Sequence, residues 1–277
     1  MNVTEKSYDH RNKVGNQGDL IKHFALHLVA STVRSGSDTP FIYVETHAGR
    51  PSYQLDPANL SNGWKQGVGD FLNRYYEMKE AGRNQDLLND VGNFAAYVER
   101  GKSDEQINYL GSSALVRNVL RQRPMPVQSV LYDLDPDVCH ALNSDDDSIT
   151  VHCSSGYESV EGLSDIDLLF IDPPDLYPGD EGHAGRHKKL LYYCADKGIQ
   201  FVSWNPLYSN KRLSGPSLEC RVVKECARQK RYSIITVRWS DWSEKMCGCQ
   251  MLFNLPKGSS YVDSCLKLAT LMGWKTE

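Results

Sequence analysis

Residues 167–174 read Asp-Leu-Leu-Phe-Ile-Asp-Pro-Pro, a short apolar run that ends in a carboxylate and two prolines. A run of this length with turn chemistry at its end reads as a strand buried on both faces, as in a parallel α/β sheet. Ligands of such sheets sit outside the carboxyl ends of the strands, so Asp172 stands where chemistry would happen. Each proline fixes φ and removes an N–H, leaving a stiff turn with free carbonyls beside the carboxylate. A rigid set of acceptors suits an exocyclic amino group, which has N–H bonds to donate. Taken alone, Asp-Pro-Pro reads first as a strand end, and its neighbours change the balance.

Working outward, strand signals fall at 41–45, 129–134, 149–153, 167–171, 200–204, 233–239 and 250–254. Most are separated by helix-length spacers, which predicts a doubly wound, mainly parallel sheet. The last two are joined by about ten residues, too few for a parallel crossover, so the final strand is expected to be antiparallel. Residues 1–18 read as a polar arm, and Asp19 as the cap of a helix running to about residue 33. Stretches 64–78, 85–100 and 112–121 have helical periodicity. The expected organisation is therefore 1–55 for the arm, first helix and first strand, 56–127 for a helical insertion, and 128–277 for the rest of the sheet domain.

The strand ends carry ligand-competent residues. His47-Ala48-Gly49 is a small-residue turn, and Asp133 is an acid placed to take both hydroxyls of a ribose. Asp133 follows Gly49 by 84 residues rather than about 20, which is why a block must be inserted between the first two strands. Gly156 offers close backbone approach to a ligand, or merely a turn. No apolar run is long enough to span a bilayer and the polar N-terminus lacks a signal-peptide pattern, so the expectation is a cytoplasmic protein without membrane contact. All eight cysteines lie between Cys139 and Cys265 and read as reduced thiols. Neither Cys220 and Cys226 nor Cys247-Gly248-Cys249 has zinc spacing, and the pairs His23/His27 and His183/His187 read as surface or pocket histidines, so no metal is predicted. Residues 181–231 hold eleven basic residues against four acidic ones in a chain of net charge −4. That segment is either a phosphate-facing patch or the solvated face of a helix.

Taken together, Tyr8-x-His10, Gly15-Asn16-x-x-Asp19-x-x-Lys22-His23, Tyr43-Val44-Glu45-Thr46-His47-Ala48-Gly49, Tyr53-Gln54-Leu55, Gly111-Ser112, Asp133, Gly156, Asp172-Pro173-Pro174 and the stretch 246–256 resemble, in order, the RlmJ-type 23S ribosomal RNA adenine-N6 methyltransferases. The resemblance covers nearly the whole chain. It implies a class I methyltransferase (Rossmann-like) sheet with a helical insertion, S-adenosylmethionine (SAM) as cofactor and ribosomal RNA as partner. It further implies cofactor contacts at His23, His47, Ser112, Asp133, Ser155 and Gly156, with Lys22 and Gly49 in the same motifs. Asp172 matches the catalytic carboxylate, with the Pro173 carbonyl as a second acceptor, and Tyr8 matches a residue that meets RNA. Lys188, Lys189, Lys211 and Arg212 are the expected phosphate contacts.

Three positions depart from the family pattern. Arg50-Pro51 stands where the family has a second glycine, and Ser155 where it has an acid. Asp175 replaces the aromatic ring that would stack on the acceptor base, a contact worth about 1–3 kcal/mol. Tyr177 is the nearest ring that can substitute. A SAM-dependent enzyme with a small or cationic acceptor, and a non-catalytic relative that binds RNA or a partner, stay open beside adenine N6 methylation.

Overall fold

The computed structural model describes residues 13–33, 39–123, 125–143, 146–173, 181–210, 215–216, 218–240, 246–256 and 258–277. Strand β6 (Leu168–Ile171) is buried at all four positions. It lies between β1 (Phe41–Glu45) and β7 (Phe201–Asn210), parallel to both. Beyond β1 come β4 (Val127–Asp133) and β5 (Ile149–Cys153), also parallel. The chain thus builds outward from β1 in one direction, then returns to β6 and builds in the other. The point of reversal lies between β1 and β6.

On the far side, β10 (Met246–Asn254) lies antiparallel between β7 and β9 (Ser233–Arg238). The short link between β9 and β10 permits nothing else. Strands β7 and β10 run longer than their apolar signals, sharing a register from Phe201↔Asn254 to Tyr208↔Met246. Gly248 sits at a register shift in β10, where a Cβ would lie 2.0 Å from the Val237 carbonyl oxygen. Cys247-Gly248-Cys249 is therefore a close-packed strand segment. Within this sheet, two short strands have no counterpart in the sequence reading: β8 (Gly215–Pro216), paired with β7, and β11 (Lys275–Thr276), which extends the sheet beyond β9.

Each face of the sheet has its own core. On one face lie α1 (Gln17–Thr32), α5 (Ser112–Arg121) and α10 (Gly258–Met272), with helices of the insertion packed around them. On the other, α7 (Gly156–Ser159), α8 (Glu181–Lys197) and α9 (Leu218–Lys230) cover Val44, Leu169, Ile171 and Phe201. The α1 cap is Asn16, whose side chain accepts from the Asp19 N–H, and not Asp19 itself. Asp19 sits three residues further on, in the first turn. Its buried carboxylate accepts from the Gly15 N–H at 2.8 Å.

Between β1 and β4 the chain forms α2 (Asn62–Gln66), α3 (Val68–Glu80) and α4 (Gln85–Arg100), centred on Phe71 and Phe94 against Phe24 of α1. The helix expected over 64–78 breaks at Gly67, where the preceding arm crosses. A Cβ on Gly67 would lie 2.2 Å from the Gly15 carbonyl oxygen, which accepts instead from the Val68 N–H at 2.8 Å. A two-stranded ribbon, β2 (Ser52–Leu55) with β3 (Ile107–Leu110), closes the block.

His23, His27 and His187 are buried rather than at the surface. Burial, helped by nearby Arg100, drives the pKa of His27 down to about 4. Burial does the same to His187, against a weaker opposing pull from the Asn205 side chain. Both rings fold neutral. Their contribution is therefore complete above the ordinary histidine value of 6.5 and is lost as pH falls toward 4, because the unfolded chain takes up the protons first. Each is worth about 3 kcal/mol at most. Urea denaturation at pH 7 and pH 5 should show a marked loss of stability in acid. His187→Gln should flatten that loss, and an equal slope in the variant would contradict the assignment.

Candidate active site

The loop after β1 is fastened on both sides. Thr46 N–H donates to the Phe170 carbonyl of β6 at 3.0 Å, and Ala48 N–H to the Tyr132 carbonyl of β4 at 2.9 Å. Gly49 turns the chain with φ +63°, a conformation that glycine adopts without strain, and its N–H donates to Asp133 Oδ2 at 3.1 Å. Asp133 Oδ1 accepts from the Asp135 N–H at 2.8 Å. The carboxylate is thus held from two directions, and burial raises its pKa against these two N–H bonds. Beside it, Leu134 is 70% exposed, the one large hydrophobic residue so exposed among those described.

Gly156 opens α7 at the end of the next strand. A Cβ there would lie 2.5 Å from the Thr46 carbonyl oxygen, so its close approach is to the backbone of the first loop. Gly111, before α5, meets the Arg50 carbonyl oxygen in the same way, with its N–H donating to the Pro51 carbonyl at 2.9 Å. The departure at Pro51 therefore keeps a bonded place at the start of the ribbon. Ser112 follows directly.

Asp172 leaves the end of β6 and accepts from Lys22 Nζ at 2.8 Å. The same ammonium lies 3.0 Å from Asp19 and 5.4 Å from the centre of the Trp204 ring. Lys22 and Asp172 side chains are only 12% and 11% exposed. Burial alone would lower the lysine pKa, but Asp172 and Asp19 outweigh it and hold the pKa well above the ordinary lysine value.

The sequence reading passed over Glu45. Its carboxyl is fully buried at the end of β1, accepting from Ser112 Oγ and from Tyr43 Oη at 3.1 Å. Burial pushes its pKa well up, and the Asp172 charge adds to the effect. An acid closing an otherwise apolar strand was the available signal. His23 pairs through Nδ1 with Tyr109 Oη at 2.8 Å and stacks on that ring. His47 Nδ1 is 2.8 Å from Thr46 Oγ1, with the ring edge-on to Tyr157.

The basic segment is less available than its charge count suggests. Arg186 pairs with Glu158, Lys189 with Glu161, Lys224 with Glu277, Arg228 with Glu225 and Lys230 with Asp196. Lys188 lies over the Tyr192 ring. These exposed pairs are individually weak, so phosphate can compete for the cations, but the segment is not a bare positive face. Tyr8, Pro174, Asp175, Tyr177, Lys211 and Arg212 lie outside the described residues. Among the described residues no cluster of three or more metal-ligating side chains occurs, and no helix is long and apolar enough to cross a membrane.

A family model described as ribosomal RNA large subunit methyltransferase D, RlmJ, matches residues 38–253. Ribosomal RNA large subunit methyltransferase J of Haemophilus influenzae is 26% identical over 178 residues, and that of Escherichia coli K12 is 25% identical over 173. Each alignment covers 61% of this chain and 59% of the relative, so the chain spans well under two thirds of the curated relatives it matches. A crystal structure of a Legionella pneumophila protein superposes with a TM-score of 0.71 at 19% identity, covering 95% of this chain and 97% of that one. That likeness supports the fold over nearly the full length. With its sheet order and the match over residues 38–253, the chain belongs to the RlmJ family.

Proposed function

We propose that this protein is a SAM-dependent methyltransferase that acts on an exocyclic amino nitrogen, with adenine N6 of large-subunit ribosomal RNA as the acceptor. The observation that carries the reading is the placement of Asp172, fixed by Lys22 at the end of β6, one strand from the loop that holds Asp133. The names of the curated relatives supply the RNA class.

The residues present fit the cofactor. Asp133 accepts backbone N–H bonds on both oxygens and keeps acceptor capacity for a ribose hydroxyl. Exposed Leu134 offers an apolar surface to an adenine ring, and Ser155 a hydroxyl at the next strand end. His47 and Gly49 belong to the loop that follows Glu45, and Ser112 bonds the Glu45 carboxyl at the end of β1. Bound SAM supplies an electrophilic methyl group on a sulfonium sulfur.

The chain's own contribution is placement and electrostatics. Lys22 donates to Asp172 and fixes one of its oxygens, leaving acceptor capacity for an incoming N–H. Accepting that hydrogen, with the Pro173 carbonyl as second acceptor, turns the nitrogen lone pair toward the methyl carbon. Asp172 would also be the group placed to take the proton that the amino nitrogen must lose once methylated, the methyl having left its sulfonium sulfur, and to pass that proton to solvent.

Three outcomes are expected. Asp133→Ala should weaken SAM binding by about 1–3 kcal/mol by calorimetry, the usual cost of a lost hydrogen-bond partner; unchanged affinity would place the ribose elsewhere. Asp172→Asn should lower turnover on large-subunit RNA far more than SAM affinity, and loss of SAM binding instead would make Asp172 a cofactor ligand. Lys22→Met strands Asp19 and Asp172 without their cation and should cost about 3–5 kcal/mol in urea denaturation. A variant as stable as the parent would show that the pair is not structural.

A further inference from the structure

Strand β5 ends at Cys153, which pairs in register with Asp133 of β4. Side chains alternate along a strand, and Ile149 and Val151 both pack into the core on the α1 face. Cys153, two residues beyond Val151, leaves the sheet on that same side. Helix α6 (Pro136–Leu142) covers this side and buries Cys139. Cys139 Sγ–H donates to the Asp133 carbonyl oxygen at 3.5 Å. The Cys153 thiol lies in hydrogen-bonding contact with the Cys139 sulfur. Cys153 is exposed, whereas the other thiols among the described residues are buried. One accessible thiol thus touches one protected thiol, directly beside the strand end that carries Asp133 and Leu134.

We propose that Cys139 and Cys153 form a redox pair that hydrogen peroxide closes to a disulfide, and that closure weakens cofactor binding at Asp133. Exposed Cys153 reacts first: its sulfur takes one peroxide oxygen, the O–O bond breaks, and water leaves a sulfenic acid. The Cys139 sulfur then attacks the Cys153 sulfur. The S–O bond breaks, the S–S bond forms, and the thiol proton departs with the hydroxyl as a second water. Peroxide is reduced and the two thiols are oxidised by two electrons in total. Burial, with the Cys153 contact, pushes the Cys139 thiol up to about 12, so it is not the first of the two to react, and its contact with Cys153 is what makes it the partner that closes the bond.

The mechanical link to the site is short. Asp133 accepts from the Asp135 N–H, and Asp135 caps α6 by accepting from the Asp137 N–H at 2.8 Å. Drawing two contacting sulfurs in to a bond of about 2.05 Å pulls α6 toward the end of β5 and carries this turn with it. Closure also removes the S–H donor from the Asp133 carbonyl. Both changes act on the strand end expected to take the ribose, so the effect on affinity rests on the function proposed above, whereas formation of the bond does not.

The test treats the full-length protein with hydrogen peroxide, blocks remaining thiols with N-ethylmaleimide and maps peptides by mass spectrometry, with SAM calorimetry in parallel. The expected result is a Cys139–Cys153 cross-linked peptide and at least tenfold weaker SAM binding, both reversed by dithiothreitol. Cys153→Ser should form no cross-link and keep its affinity under peroxide. No cross-link in the parent, or a cross-link with unchanged affinity, would overturn the proposal. A cross-link under peroxide in a protein whose reduced form binds no SAM at all would instead bring down the methyltransferase reading, and the regulatory half with it.

Discussion

The ion pair between Lys22 and Asp172 is the constraint around which the strand ends are arranged. An ammonium buried among protein atoms is costly unless opposite charge and hydrogen bonds surround it. Here Asp19, from the same helix, and Asp172, from the central strand, do so together. The requirement fixes the rotation of α1 over the sheet, because Lys22 must reach the end of β6 with its ammonium over the Trp204 ring. It also fixes the start of α1, since Asp19 binds the Gly15 N–H and Gly15 in turn receives the Val68 N–H. One buried cation thereby links the arm, the first helix, the insertion and the reacting end of the sheet.

Features set by residue type at one place in the chain were legible in advance. An apolar run ending in Asp-Pro-Pro can hardly be anything but a strand end. The link between β9 and β10 is too short for a parallel crossover. Features created by a distant partner were not legible. Each strand of the β2–β3 ribbon is four residues long, too short for an alternating signal, and the two meet across the whole insertion. The break at Gly67 arises from the crossing of Gly15 rather than from local preference, and a single glycine in a helical pattern is ordinarily tolerated. Asn16 and Asp19 are both competent helix caps, and the buried lysine decides between them by claiming Asp19.

Charge is where the linear reading left most open. Eleven cations in residues 181–231 read either as a phosphate-facing patch or as a solvated helix face, and among the described residues five meet carboxylates, three of which the sequence places outside that window. Glu158 and Glu161 come from the turn after β5, and Glu277 from the last residue of the chain. A window count sees the cations because they are contiguous and misses these three anions because the fold delivers them. Conversely, Glu45 adds almost nothing to any charge count but sits buried where strands β1 and β6 converge on Asp172.

The β2–β3 ribbon brings the two ends of the insertion side by side, with the Gly111 N–H on the Pro51 carbonyl where the block leaves the sheet domain. A segment whose entrance and exit are clasped in this way joins the sheet domain at one point, while its inner faces share a core with α1 and α10. Its outward surfaces can change without altering the spacing between β1 and β4. Descent within the family can therefore remodel the outer helices, and with them whatever they meet, while the carboxylates at the strand ends keep their positions.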